Sequence, residues 1–225
     1  MIKKITINNF KHFLFPFEKQ SYALEGEDLL LEYIFTGQNQ GFYIDVGAHH
    51  PKRFSNTFLF YQKGWHGINI DATPKSMNLF KKIRPRDINL ETAISDKKER
   101  LDFYIFNEPA LNTFDHKKAE EYERKKDYFI EKIIKMKTQT LEKILDEYLK
   151  NQKIDFLTID VEGFDFKVLK SLNLKKYQPK IILIESSDQD IEKALNSSIA
   201  EYLKKFNYSF YLKTFNTLFF KNNFL

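Results

Sequence analysis

An alternation of short apolar runs with helix-forming stretches leaves this chain few folds to choose from. The runs Gly41-Phe-Tyr-Ile-Asp-Val-Gly-Ala48, Trp65–Asp71, Ile88–Ile94, Ile154–Asp160 and Lys180–Glu185 are rich in β-branched and aromatic residues. Near-continuous apolarity of this kind marks strands buried on both faces. Between the runs, helices are predicted over Phe54–Lys63, from Pro74 to about Ile83, over Leu141–Lys150 with Thr140 as N-cap, and over Phe166–Leu172. A helix over Ile191–Phe206, capped by Ser187 or Asp188, and a hairpin pairing Ser209–Lys213 with Asn216–Phe220 complete the pattern. Repeated strand–helix order requires a mostly parallel, doubly wound α/β sheet, with the hairpin adding antiparallel strands near one edge.

One stretch interrupts the order. Leu101–Phe106 alternates like an edge strand, Ala119–Lys132 reads as a charged amphipathic helix, and Lys132–Lys137 as a short extended piece. The organisation expected is a lead-in over residues 1–37, irregular at Lys11–Gln20 and ending in a helix over Gly26–Thr36, followed by one domain over 38–225 with an insertion at about 101–137. The 23 Phe and Trp65 are read mainly as core, because aromatic residues in strands pack.

Composition then removes whole classes of function. With no Cys, the chain has no disulfide, thiolate zinc site, iron–sulfur cluster or cysteine nucleophile, which fits a reducing compartment. The net charge of +5 is interspersed: the densest basic stretch, Lys117–Lys137, also holds Glu120, Glu121, Glu123, Asp127 and Glu131. A phosphate-tracking groove needs segregated cations, so no nucleic-acid partner is expected. No run approaches the length of a bilayer span and no cleavable leader is visible, so a cytoplasmic protein is expected.

Ligands of doubly wound sheets sit beyond the carboxyl ends of the strands, here Asp45–His49, Asp71–Thr73, Ala93–Asp96, Asp160–Gly163 and Glu185. Nearly every end carries an acid, which suits a hydroxyl-rich or cationic ligand. The turn Asp45-Val-Gly-Ala-His49 has one glycine and matches neither phosphate-binding fingerprint. One close backbone approach, at Gly47, is what an adenosine without phosphates needs, and S-adenosyl-L-methionine is such a ligand. Asp45 suits its positive charges, and Asp71, at the end of the next strand, lies near the spacing of a ribose-binding acid. Each acid also has a plainer reading, as a cap of the helix that follows.

The segments Tyr43-Ile-Asp-Val-Gly-Ala-His-His-Pro51, Arg53–Thr57, Gly64–Asp71, Arg84-Pro-Arg-Asp-Ile-Asn89, Leu111-Asn-Thr-Phe114 and Ile154-Asp-Phe-Leu-Thr-Ile-Asp-Val-Glu-Gly163 resemble the FkbM family of S-adenosylmethionine-dependent methyltransferases. The lead-in Ser21-Tyr-Ala-Leu-Glu-Gly-Glu-Asp28 resembles that family's N-terminal segment, and the likeness runs in order from about Ser21 to Glu185. The resemblance implies a class I methyltransferase fold and methyl transfer, commonly to a sugar hydroxyl or another small polar metabolite in surface-glycan or natural-product pathways. It implies that Asp45, Gly47 and His49 line the methionine end, Asp71 and Ala72 the ribose, and Ala93, Ile94 and Ser95 the adenine, with Ala48 also cofactor-binding. Asp160 and Glu162 would face the transferring methyl, with Tyr22 and Asn56 as lesser site candidates. Asn69 and Thr92 acquire no role from it.

Catalysis is expected to rest on alignment, with Asp160 or Glu162 as base and His49 and His50 as further candidates. Each acid would equally serve by binding the ligand's ammonium or by holding its loop. His49 and His50 beside Asp45, Asp160 and Glu162 supply the oxygen and nitrogen ligands a divalent ion needs, but a metal is not the favoured reading. Leu111–Phe114 is either a cover for the acceptor or an ordinary surface loop. The competing functions are a methyltransferase fold kept as a scaffold and a nucleic-acid methyltransferase; the latter lacks an Asp-Pro-Pro-Tyr-type loop for a flipped base.

Overall fold

A computed structural model describes residues 18–186 and 190–224. In chain order the elements are α1 (Glu27–Ile34), β1 (Phe42–Val46), α2 (Phe58–Gln62), β2 (His66–Asp71), α3 (Met77–Ile83), β3 (Ile88–Glu91) and β4 (Ala93–Ile94). Next come β5 (Arg100–Phe106), a 3₁₀ turn (Pro109–Leu111), α4 (His116–Glu123), β6 (Ile130–Gln139), α5 (Leu141–Tyr148) and β7 (Phe156–Ile159). Last are α6 (Asp165–Lys170), β8 (Ile181–Glu185), α7 (Ile191–Leu195), α8 (Ser198–Lys204), β9 (Tyr208–Lys213) and β10 (Thr217–Asn222).

The principal sheet has seven strands in the order β3-β2-β1-β7-β8-β10-β9. Its first five strands are parallel, and β10 and β9 run antiparallel to their neighbours. The mostly parallel α/β sheet with a C-terminal antiparallel hairpin is therefore present. Every residue of β1 and β7 is buried, as expected of central parallel strands covered on both faces. One face packs Ile44, Leu157, Ile182 and Leu218 under α5, α6 and α8. The other packs Tyr43, Phe156 and Trp65 against Leu31 of α1 and Phe60 of α2, so Trp65 is core. A Cβ on Gly41 would lie 2.2 Å from the indole, so only glycine leaves room for that ring.

Several boundaries differ from the sequence pattern for identifiable reasons. The helix expected from Phe54 starts at Phe58, because Ser55 and Thr57 turn into the interior as hydrogen-bonding groups. Pro74 lies in a turn before α3, and Asp71 does not cap that helix; its carboxylate accepts the His49 N–H at 2.8 Å and the Thr73 N–H at 2.7 Å. The run Ile88–Ile94 divides at Thr92, after which β4 leaves β2 and pairs with β6. The helix expected over Ala119–Lys132 ends at Glu123, and Ile130–Gln139 is instead a long strand paired antiparallel with β5. The helix expected over Ile191–Phe206 is two helices, because Ser197 caps a second one by accepting the Ala200 N–H. Asp190 caps the first; the expected caps Ser187 and Asp188 lie outside the described residues.

Beneath the strand ends lies a polar network around Arg84, whose side chain is wholly buried. Its Nε donates to Asp87 at 2.8 Å, and Nη2 donates to the Tyr43 hydroxyl at 2.8 Å and to Thr57 Oγ1 at 3.0 Å. Asp87 also accepts from Tyr43 Oη, the Gly67 N–H and Asn69 Nδ2. Thr57 in turn donates to Asp45 at 2.6 Å. Asn69, which had no role in sequence, is thus a structural partner of Asp87. Breaking a buried ion pair strands a charge, so Asp87→Ala should lower the unfolding free energy by about 3–5 kcal/mol. Urea denaturation checks this, and a loss under about 1 kcal/mol, typical of a surface pair, contradicts it.

Candidate active site

A cleft lies beyond the carboxyl ends of β1, β2 and β7. Gly47, His49, Asp71, Ala72 and Thr73 form one side, Asp160, Val161 and Glu162 the floor, and Phe103, Pro109, Ala110, Asn112 and Phe114 of the inserted segment the opposite wall. The space between them, counted to the mouth, is about 390 Å³. Beside it a more apolar hollow of about 280 Å³ shares Gly47, Asp71, Ala72, Phe114 and Val161, and is closed by Ile94, Thr92 and Phe164. Together they combine apolar walls with a few convergent polar groups, the mixed character usual for a small-ligand site.

Two strand ends must meet closely to form this floor. Gly47, at φ +86°, places its α-carbon so near β7 that an added Cβ would lie 1.7 Å from the Asp160 carbonyl oxygen, which excludes every other residue. The Gly47 and Ala48 N–H groups both bond the Ile70 carbonyl, locking the turn to β2. His49, at φ +49°, and Glu162, at φ +52°, are non-glycine residues in the left-handed region, a local cost often found at functional sites. Burial lowers the His49 pKa, so its imidazole is neutral, and its Nε2 is buried without a protein partner among the described residues.

The strongest electrostatic feature is the meeting of three carboxylates. Asp160, Glu162 and Glu185 each offer an oxygen, and these atoms all lie within 4.8 Å of one another. Asp160 is open to the cleft, yet it sits at the bottom of a concave surface. Packing around it, then the charges of Glu185 and Glu162, hold its carboxyl well above the usual carboxylate range. Desolvation raises Glu162 as well, opposed by the hydrogen bond from Tyr122. Burial, then Glu162 and Asp165, push Glu185 up to about 8. Asp165 is raised to about 7 by burial, although it accepts the Val161 and Gly163 N–H groups at 3.0 Å each. Like charges this close cannot all ionise at neutral pH, so the cluster retains protons and favours hydroxyl-rich or cationic ligands.

The residues expected at the site are only partly brought together. Gly47, His49, Asp71, Ala72, Asp160 and Glu162 line the cleft, and Ile94 lines the adjoining hollow. Asp45 lies beneath, its carboxylate bonded to Thr57 and raised to about 6 by burial. Ala48 packs against Met77 and Phe80, Ala93 is buried in its short strand, and Ser95 bonds Asp96 and Glu99. Asn56 donates to Thr158 at 3.0 Å, and Tyr22 packs edge-on against Phe58, so neither borders the cleft. His50 and Asp45 do not join the carboxylate cluster; His50 Nδ1 accepts the Lys52 and Arg53 N–H groups instead.

The insertion completes the site, and of its lining residues Phe103, Pro109 and Ala110 were not singled out in sequence. Phe103 and Phe114 pack with tilted rings, centroids 4.4 Å apart, Phe114 meets Phe164 at 5.7 Å, and Asn112 Nδ2 donates to Thr73 at 3.0 Å across the cleft. Asn112 and Phe114 of the Leu111–Phe114 turn accordingly stand in the cleft wall, and the turn's place among the family-like segments was the available signal. Arg53 donates to Glu108 from both terminal guanidinium nitrogens, Nη1 and Nη2, at 3.2 and 3.1 Å, tying the loop after β1 to the insertion. Thr92 accepts from Gln139 at 2.9 Å where β4 leaves the sheet.

A crystal structure described as that of a proposed RNA methyltransferase from Pyrococcus horikoshii is similar over 88% of this chain and 83% of that one, at 10% identity and a TM-score of 0.43. No curated protein matches. The family described as the methyltransferase FkbM domain matches residues 45–210, from the end of β1 into β9. The chain belongs to the FkbM family of methyltransferases.

Proposed function

We propose that the protein transfers a methyl group from S-adenosyl-L-methionine to a hydroxyl, or an amine, of a small polar acceptor such as a sugar or glycan precursor. The observation that carries this reading is the division of the cleft into an apolar, Asp71-edged part and a part floored by Asp160 and Glu162, whose carboxylates cluster with that of Glu185. The apolar hollow between Ile94, Phe114 and Phe164 suits a purine face. Each oxygen of Asp71 accepts one backbone N–H and keeps a lone pair for a ribose hydroxyl. The orphaned His49 Nε2 and the acids of the floor suit the polar, cationic amino-acid end of the donor. The residues present therefore fit the group.

When bound, the donor supplies an activated carbon whose bond to sulfur breaks as its bond to the acceptor oxygen forms. The chain's part is to align the two and to take the hydroxyl proton. Alignment alone is worth about 7–11 kcal/mol. Glu162 and Asp160 are the assigned proton acceptors, and their raised pKa values bring them closer to the acidity a general base needs near neutral pH. A floor of carboxylates repels a phosphate backbone, so a neutral or cationic small molecule is favoured over nucleic acid. Among the described residues no helix is long and apolar enough to cross a membrane.

Titration calorimetry with S-adenosylhomocysteine should detect one site per chain, and Asp71→Ala should weaken it by about 1–3 kcal/mol through lost hydrogen bonds. Equal affinity in the variant would remove Asp71 from the ribose role. On a panel of neutral sugars and amino sugars, Glu162→Gln and Asp160→Asn should each lower turnover about 100-fold, more than they lower donor affinity. If both retain full turnover, neither is the base.

The raised carboxyls also set a pH dependence of stability. Glu185 holds its proton up to about pH 8 in the folded protein, against an ordinary value of 4.5. The folded state therefore binds more protons in that window, and the associated stability is present below about pH 4.5 and lost as pH rises toward 8. Thermal melts across the window should show this decline, and Glu185→Gln should flatten it; a wild-type melting temperature that rises from pH 5 to 8 would contradict the burial of these acids.

A further inference from the structure

Glu162 is held from a part of the chain that belongs to neither strand end. Its carboxylate accepts a hydrogen bond from the Tyr122 hydroxyl, and its backbone carbonyl accepts one from Thr113 Oγ1 at 2.7 Å. Both partners lie in the inserted segment, Thr113 in the turn before α4 and Tyr122 in the last turn of that helix. Neither is a loose contact. Tyr122 is 5% exposed, lies edge-on to Phe106 at 5.8 Å, and packs with Ala119 in a small core of its own. Thr113 is 1% exposed, is fixed by paired backbone bonds to Tyr104 of β5, and accepts the Asp115 N–H that begins the α4 cap.

We infer that Tyr122 and Thr113 are positioning residues, through which the inserted segment holds the carboxylate and the left-handed backbone of Glu162 at the cleft floor. The inference rests on the proposed role of Glu162 beside the reacting atoms. The Thr113 bond is the one hydrogen bond to the Glu162 carbonyl oxygen among the described contacts, and with the Gly163 N–H bond to Asp165 on the same peptide it holds a conformation, φ +52°, that ordinary residues avoid. Without the Tyr122 bond, one carboxylate oxygen loses the donor that opposes repulsion from Asp160 and Glu185. The groups facing Glu162 are Asp160 and Glu185 from the strand ends, Asp165 from α6, and Lys118, Glu121, Tyr122 and Lys125 from α4 and the turn after it. Among them Tyr122 is the uncharged donor, and burial keeps its phenol protonated at every pH of interest.

The test reads the Glu162 side-chain carboxyl by carbon NMR in the full-length protein, with Glu162→Gln to assign the resonance. Tyr122→Phe keeps the ring and removes only the hydroxyl. It should move the Glu162 inflection up by about one pH unit, the equivalent of one hydrogen bond to a charged acceptor, while leaving S-adenosylhomocysteine affinity unchanged. Thr113→Val should shift the backbone resonances of Glu162 and Gly163 and leave the inflection in place. A packing role alone would move neither signal. Glu162 signals unchanged in both variants overturn the inference, as does a downward shift in Tyr122→Phe. Failure of the wild-type protein to bind S-adenosylhomocysteine would count against the proposed function but leave the Glu162 readout intact, so the two failures are distinguishable.

Discussion

A single guanidinium, Arg84, is buried where β1, β2 and the loop before α2 converge, and the geometry of the cleft follows from how it is satisfied. Its partners Asp87, Tyr43 and Thr57 come from three separate segments, and Thr57 extends the network to Asp45 at the end of β1. An arrangement of this kind adds little net stability over an apolar core of the same shape, since each charge was desolvated to make it. What it supplies here is register: the hydrogen bonds close only when the ends of β1 and β2 lie side by side, with Asp45 opposite Asn69. The Gly47 turn and Asp71 then fall at the same level, and the cleft opens above them.

From that base the cleft acquires two unlike halves. One is apolar because β4 departs from the sheet at Thr92 and brings Ile94 beside Phe114 and Phe164. The other is acidic because β7 and β8 end together on Asp160 and Glu185, with Glu162 one turn further on. Packing raises the proton affinity of these acids and their mutual repulsion adds to it, so the acidic half offers both acceptors and donors of hydrogen bonds near neutral pH. The proposed function uses this division: one half to hold the donor and the other to align the acceptor and take its proton.

Much of this was legible in the sequence. Parallel strands buried on both faces read as unbroken apolar runs, so β1, β2, β7 and β8 could be found, and the acids at their ends followed. The side-chain direction of Asp45 could not be read, because it depends on the pleat and on Thr57 and Arg84 arriving from elsewhere in the chain. The end of α4 was misjudged because Lys- and Glu-rich sequence satisfies a helical period, whereas β6 is decided by pairing with β5, a contact distant in sequence. The break at Ser197 had a local signal in Asn196-Ser-Ser198 that the longer apolar period concealed. Phe103 reaches the cleft, and Tyr122 reaches Glu162, only through the docking of the insertion, which no local pattern encodes.

The central claim, that donor and acceptor meet at the joined ends of β1, β2 and β7, is tested most directly by amide chemical-shift mapping on the intact protein as S-adenosylhomocysteine is added. Perturbations should concentrate at Gly47, Ala72, Ile94 and Phe114. Perturbations confined to other surfaces, or none at saturating ligand, would contradict it.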